Sequence, residues 1–246
     1  MYYSPLDQFI VKPLLMISES LTISITNYSL YLILVVSLIL ITYGLVRSGT
    51  LASTRWGVAI IALYDTILNL VIGQIGRRAG YYYPLVYTVF NVILLANLVS
   101  MVPYSFAATG QLVPVVGLSL ALWIGNVVLG LYLHGLGFFA LFVPGGTPLV
   151  LVPVLVLIEC LSYCSRAISL GLRLGANILS GHLLMLILGG LIIGLMSSSI
   201  LGFILGVVPI AGVVAITILE FGIAIIQAYV FSILLSGYIK DSVDLH

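Results

Sequence analysis

The feature that most constrains this sequence is the run from Ala79 to Ile158, which contains no Asp, Glu, Lys or Arg. Over all 246 residues, 6% are charged and 62% are hydrophobic, whereas a soluble domain carries about 25% charged residues. No water-soluble fold of this length can bury so much apolar surface. We therefore expect most of the chain to be surrounded by the hydrocarbon of a lipid bilayer.

The small net charge limits the kinds of partner. At +1 the chain has no basic field for nucleic acid and no acidic field for cationic partners, so we expect partners that pack against it inside the membrane. Cys160 and Cys164 lie four residues apart on one predicted helix face, where a disulfide is geometrically unfavourable and a metal lacks further ligands. We interpret both as small apolar residues, and the sequence predicts neither a metal nor a cofactor.

The first third of the chain is predicted to hold one span and one surface helix. Residues 27–46 are apolar and long enough to cross about 30 Å of hydrocarbon. The next segment holds four of the eight basic residues: Arg47, Arg55, Arg77 and Arg78. The positive-inside rule places this segment in the matrix or cytoplasm and the N-terminus outside. Polar residues interrupt its helix-like part, 51–75, which favours a helix on the membrane surface over a further span.

The remaining apolar segments complete the predicted architecture. Spans are expected at 84–102 and 115–142, separated by Pro and Gly. The last two segments, 148–195 and 200–239, are each about twice the ~20 residues that an upright helix needs, so they should form a long tilted helical hairpin that turns near 197–199. The predicted fold class is an all-α integral membrane protein, a single membrane domain with about five crossings plus the surface helix.

Ionisable side chains in the predicted hairpin are candidates for function, because such groups are costly in hydrocarbon. Glu159, Arg166 and Arg173 are spaced by seven, so each lies within about 20° of the last on one helix face. Small residues follow and precede Arg173: Ser169, Gly171, Gly175, Ala176 and Gly181. Small side chains allow the backbone of another helix to approach closely. A surface along which a moving helix slides would require this. An ordinary packing face with a buried Arg–Glu ion pair is the alternative.

A second group of polar residues is expected on the other side of the hairpin. His182 lies nine residues after Arg173 and therefore points away from the first face. Glu220 and Gln227 share one face of the second helix and can meet His182 across the hairpin, where an imidazole and a carboxyl can relay protons. The alternative is that His182 only fills space. From the residues alone, Lys240 and Asp241 are ordinary solvated charges at a helix end, and His134 is an interfacial residue.

At these positions the sequence resembles subunit a of rotary proton-translocating ATP synthases, in its fungal-type mitochondrial form. The arginine segment, ISLGLRLGANILSGHLL at 168–184, carries the resemblance most specifically. Further matching segments are SPLDQF at 4–9, WIGNVVLGLYLHG at 123–135, FVPGGTP at 142–148 and LEFGIAIIQAYVFSILLSGYIKD at 219–241. Leu133 is a departure, since relatives often carry a lysine before the histidine, and this weakens any role for the surroundings of His134.

The resemblance implies a role in proton translocation for seven side chains: Arg173, His182, Glu220, Glu159, Asp241, Asn177 and Gln227. Arg173 corresponds to the essential arginine of the family. His182 and Glu220 match the outer proton path, and Glu159 and Asp241 match the matrix-side path. Asn177 and Gln227 match polar positions beside the arginine.

The resemblance also implies a function and a location. The chain is expected to be the stationary, non-catalytic proton-channel subunit of an ATP synthase in the mitochondrial inner membrane. Two offset half-channels, separated by the arginine, would let proton flow turn a ring of c subunits. Further partners would be the peripheral stalk and other membrane-sector subunits. A self-contained ion or solute transporter and a non-transporting membrane scaffold are the rival interpretations.

Overall fold

A computed structural model describes residues 9–18, 23–46, 55–76, 79–102, 105–143, 151–198 and 206–243. Several positions used in the sequence analysis lie outside these ranges: Arg47, Arg77, Arg78, most of 142–148 and Ser199. The inside location of the arginine-rich segment and the turn of the hairpin therefore stay predictions.

Six α-helices make up most of the described residues: α1 Asn27–Val46, α2 Arg55–Ile75, α3 Ala79–Ser100, α4 Leu112–His134, α5 Val152–Ser198 and α6 Val207–Val243. Each is long and apolar enough to cross a membrane, by length and composition. The predicted class, an all-α integral membrane protein, is confirmed. Because α2 also meets this criterion, the number of crossings and the surface position predicted for 51–75 stay predictions.

The two last helices are unusually long. At 47 residues, α5 extends for about 70 Å, since an α-helix rises about 1.5 Å per residue. The 37 residues of α6 likewise exceed what an upright helix needs to cross about 30 Å of hydrocarbon. Helices of this length in a bilayer must tilt strongly or extend beyond it.

A short antiparallel sheet precedes α1, and the sequence analysis did not predict it. Strand β1, Pro13–Ser18, pairs with strand β2, Ile23–Thr26. Isoleucine and threonine in β2 favour an extended backbone, but four residues are too few for a diagnostic alternation of polar and apolar side chains. The all-α prediction therefore lacked this one element.

Side chains at the start of α1 hold the preceding segment in place. Thr26 N donates to Ser29 Oγ at 3.1 Å and Ser29 N donates to Thr26 Oγ1 at 3.3 Å, which satisfies amide groups at a helix start. Asn27 Nδ2 donates to the Ile10 carbonyl at 3.2 Å, and Lys12 N donates to Asn27 Oδ1 at 3.1 Å. Residues 10–12 are thereby fixed against the first turn of α1.

The contacts within the chain divide it into two compact units, which are described separately. The first unit comprises Met1–Thr42, Val92–Gln111 and Leu174–Ala228. The second unit comprises Tyr43–Asn91, Leu112–Arg173 and Tyr229–His246.

The second unit is built around aromatic residues. Phe138, Phe142 and Tyr163 are buried together, with Trp123 packed against them. The chain can turn back at this point because Gly135, with φ of 57°, ends α4 in the left-handed region that glycine adopts without strain. The residues after it form a 3-10 helix, Gly135–Phe142, which brings the phenylalanines onto α5.

The end of α6 is tied to α4 within the same unit. Ser242 Oγ donates to the Asn126 carbonyl at 3.0 Å. Nε2 of His134 lies 3.1 Å from the Val243 carbonyl oxygen, to which only an N–H can donate. His134, which we expected at the membrane interface, is thus half-buried against the last helix.

Candidate functional site

In the first unit, Glu220 of α6 packs directly onto α5. Its side chain is 7% exposed, and neither carboxyl oxygen has a hydrogen-bond partner among the described residues. It lies over Gly181, where an added Cβ would overlap Oε1 of Glu220. The glycine therefore makes space for the carboxyl group. Glu220 of α6 thus lies against the residue that precedes His182 on α5.

A cavity of about 700 Å³ lies beside His182 in the same unit. Its lining combines polar and apolar side chains: Asn27, Tyr31, Met101, Val102, Ser105, Phe106, His182, Met185, Leu186 and Thr217. Nε2 of His182 is buried and has no hydrogen-bond partner within the described part of the chain. The cavity is large enough for several water molecules, so an imidazole at its wall can exchange protons with water.

A side-chain amide pair joins α5 and α6 further along both helices. Asn177 Nδ2 donates to Gln227 Oε1 at 3.3 Å. Gln227 is 5% exposed, and its Nε2 finds no acceptor among the described residues. The geometry therefore brings together the two residues that the resemblance matches to polar positions beside the arginine.

Asn97 of α3 is a buried polar residue that the sequence analysis missed. Its side chain is fully buried, and its Nδ2 donates to the Ala224 carbonyl of α6 at 3.2 Å. Its Oδ1 has no partner in the described ranges. An amide side chain inside a run without charged residues was the available signal, because such groups are costly in hydrocarbon unless they are hydrogen-bonded.

In the second unit, Glu159 and Arg166 form an ion pair on α5. Arg166 Nη2 and Glu159 Oε1 are 3.5 Å apart. This contact shows that residues seven apart share one helix face, as the spacing predicts. Both side chains are partly exposed, so the pair differs from the buried ion pair considered as the alternative.

Arg173 lies on an exposed face of α5 in this unit. Ser169 and Leu172 are exposed beside it. Gly171 instead faces α4, where an added Cβ would lie 2.8 Å from the Val116 Cα and would overlap Ser119 Oγ. One small residue near the arginine is thus required for packing within the chain, while the exposed ones leave the arginine face open.

Tyr238 of α6 is a second residue that the sequence analysis missed. It is buried, and its hydroxyl has no hydrogen-bond partner in the part of the chain that the structure describes. The hydroxyl lies within electrostatic range of Arg166, Arg173 and Asp241. Asp241 is half-buried on the same helix, so it is not a fully solvated end charge. Tyrosine is common at membrane interfaces, so the sequence alone suggests an interfacial residue at position 238. The proximity of Tyr238 to the charged residues becomes visible only in the packed structure.

The described residues contain no group of three or more His, Cys, Asp or Glu side chains that could hold a metal ion. Cys160 and Cys164 are both free thiols. Each unit by itself places ionisable or amide side chains in apolar helices, which is typical of membrane proteins that translocate ions or protons.

Comparison with known proteins identifies the family. The sequence model of the family described as ATP synthase A chain matches residues 28–240. The protein named ATP synthase subunit a from Candida parapsilosis is 76% identical over 247 residues, and that from Candida albicans is 74% identical over 246 residues, with both chains fully covered in each case. The Saccharomyces cerevisiae protein of the same name is 50% identical over 249 residues, covering 99% of this chain and 96% of its own. This chain belongs to the ATP synthase A chain family, and the predicted resemblance to fungal-type subunit a is confirmed.

Proposed function

We propose that this chain is the stationary proton-channel subunit of a rotary ATP synthase in the mitochondrial inner membrane. It would offer two offset half-channels, separated by Arg173, to a ring of c subunits, and it would carry out no catalysis itself. The observation that carries the proposal is the cavity beside His182, together with the buried carboxyl group of Glu220, which has no hydrogen-bond partner among the described residues. The peripheral stalk and other membrane-sector subunits would hold the chain against the rotating ring.

The outer half-channel would begin at the cavity. Thr217, which lines the cavity, lies one turn before Glu220 on α6. Glu220 in turn contacts Gly181, the neighbour of His182. A proton that enters from water in the cavity would reach His182 and then Glu220 within one turn of helix. Both groups can accept and release protons without large movements of the backbone.

The amide pair would continue this path. Gln227 lies seven residues after Glu220 on α6, and its partner Asn177 lies four residues after Arg173 on α5. Amides do not carry a net charge, but they can orient water and a transient carboxyl group. They would therefore guide the proton toward the ring carboxylate, while Arg173 supplies a fixed charge.

Arg173 would separate the two half-channels. A guanidinium stays charged at any working pH, so it attracts an arriving ring carboxylate and repels a proton that attempts a direct crossing. Two unit charges about 4 Å apart interact by about 4 kcal/mol at an effective dielectric of 20. One charge that crosses 100 mV gains about 2.3 kcal/mol. Because these energies are comparable, the arginine can bind the ring carboxylate and release it at each step.

The matrix-side half-channel would use the partly exposed groups of the second unit. Glu159 is half-exposed beside Arg166, and Asp241 lies near the end of α6, within electrostatic range of Tyr238. A proton released from the ring would pass to these carboxylates and then to water. The partial exposure of Glu159 suits release, since water can reach its carboxylate directly.

Replacement of Arg173 tests the proposal. In the assembled complex, Arg173→Gln should abolish proton-driven ATP synthesis and permit a passive proton leak, because the barrier charge is lost. Arg173→Lys should also be severely impaired, because the planar fork is lost. Arg55→Gln, at the exposed start of α2, is the matched control and should retain synthesis. Near-normal ATP synthesis by Arg173→Gln would refute the proposal.

A further inference from the structure

Phe9 makes a long-range contact with His182. The centroids of the two rings are 6.4 Å apart and their planes are inclined by 83°. This edge-on arrangement is one that aromatic pairs prefer, at centroid distances of about 4.5–7 Å. Phe9, four residues before strand β1, therefore reaches the imidazole at the wall of the cavity, although 172 residues separate the two rings in sequence.

Other contacts hold the Phe9 ring where it is. Gln111 Nε2 donates a hydrogen bond to the Phe9 carbonyl. At Gly110, an added Cβ would lie 2.9 Å from Cε1 of Phe9, so the absence of a side chain there makes space for the ring. The backbone groups of Ile10 and Lys12 form hydrogen bonds with the Asn27 side chain at the start of α1. Because these contacts hold Phe9 in place, its ring can restrict the rotation of the His182 side chain.

His182 has few other restraints in the described structure. Its Nε2 has no hydrogen-bond partner there, and one side of it faces the cavity. Among the described residues that line the cavity, none is charged and Tyr31 is the other titratable one. Glu220 approaches α5 one residue away, at Gly181. Among the described contacts of His182, the Phe9 ring is one that can select an orientation of the imidazole.

We propose that Phe9 is a positioning residue, which orients His182 at the cavity wall for proton transfer. The inference rests on the proposed function of His182. Without the ring, the imidazole can take several rotamers in the open cavity, and only some of them keep its nitrogens in line with the path to Glu220. Proton entry should then become slower and depend differently on the pH of the outer side.

The test uses the assembled ATP synthase with Phe9→Ala, Gly110→Ala and, as the matched control, Ile10→Ala. Ile10 is adjacent and half-exposed, and its contact with Asn27 uses only the backbone. Phe9→Ala should reduce proton-driven synthesis roughly three- to tenfold and change its profile against outer pH. Phe9→Tyr should restore both, and Ile10→Ala should leave both unchanged. Gly110→Ala should reproduce the Phe9→Ala defect, because the methyl group displaces the ring.

Combination with His182→Ala distinguishes positioning from general packing. In that background, Phe9→Ala should cause no further loss, because the group that it orients is gone. An equal fold-loss in both backgrounds, or a defect no larger than that of Ile10→Ala, would overturn the inference. If His182→Ala alone leaves the rate and the pH profile unchanged, the proposed role of His182 fails and this inference fails with it. A defective His182→Ala with a normal Phe9→Ala refutes the positioning role alone.

Discussion

Glu220 in the first unit and Glu159 in the second carry the same carboxyl group in opposite surroundings. Glu220 is buried, lacks a hydrogen-bond partner among the described residues and lies near a cavity. Glu159 is half-exposed and paired with Arg166 at 3.5 Å. Burial of an unpartnered carboxylate is costly, whereas an exposed pair contributes about 0–1 kcal/mol. The comparison indicates that the surroundings of Glu220 carry an energetic cost that those of Glu159 do not.

The largest difference is expected between neutral replacements of these two carboxyl groups. Glu220→Gln should lower proton-driven ATP synthesis by about tenfold or more, because a positioned proton carrier is lost. Glu159→Gln should lower it only a few-fold, since water can reach this part of the path. Synthesis rates against pH in the assembled complex measure both effects. Equal losses of ATP synthesis in the two variants would contradict the proposed functional difference between Glu220 and Glu159.

An intermediate effect is expected from two glycine replacements. Gly181→Ala places a methyl group against the Glu220 carboxyl, whereas Gly171→Ala places one against Ser119 and the Val116 backbone. Overpacking of this kind costs about 1–3 kcal/mol. Gly181→Ala should therefore impair proton transport in complexes that still assemble, because the flexible Glu220 side chain is displaced. Gly171→Ala should chiefly lower the amount of assembled complex.

The glycine comparison is read from two measurements on the same membranes, the amount of complex and the synthesis rate per complex. Gly189→Ala, in the same helix with open space around its Cβ position, is the control and should change neither. A normal rate per complex in Gly181→Ala would show that Glu220 does not need its present position.

The smallest effect is expected at the amide pair of Asn177 and Gln227. Interhelical hydrogen bonds in membranes contribute about 0.6 kcal/mol on average. A double-mutant cycle with Asn177→Ala and Gln227→Ala should therefore give a coupling of about two- to threefold in rate per complex. Strictly multiplicative effects of the two replacements would show that this hydrogen bond has no functional weight.

The sequence predicted the features that depend on local pattern. Charge-free apolar runs predicted long helices, and the seven-residue spacing of Glu159 and Arg166 predicted their shared face. Long-range packing was not predictable in the same way. Asn97 meets Ala224, and Phe9 meets His182, only because distant segments fold together. The short β1–β2 sheet was missed because its strands are too brief to show a period. Periodicity in the sequence predicts which face of a helix a residue lies on, but it does not predict which distant residue packs against that face.

The most direct test of the two half-channels is the sidedness of chemical labelling. Cysteines would be introduced singly by Glu159→Cys, His182→Cys, Glu220→Cys and Asp241→Cys, in a background in which Cys160 and Cys164 are replaced by serine. A membrane-impermeant thiol reagent would then be supplied from one side at a time to membranes that contain the assembled complex.

We predict that positions 159 and 241 react with reagent from the matrix and that positions 182 and 220 react with reagent from the opposite side. This expectation follows from the four arginines between residues 47 and 78, which by the positive-inside rule are predicted to lie inside, and from the order of residues along α5 and α6. Reaction with the reverse sidedness would contradict the topology. Reaction of all four positions from a single side would contradict the existence of two separate half-channels.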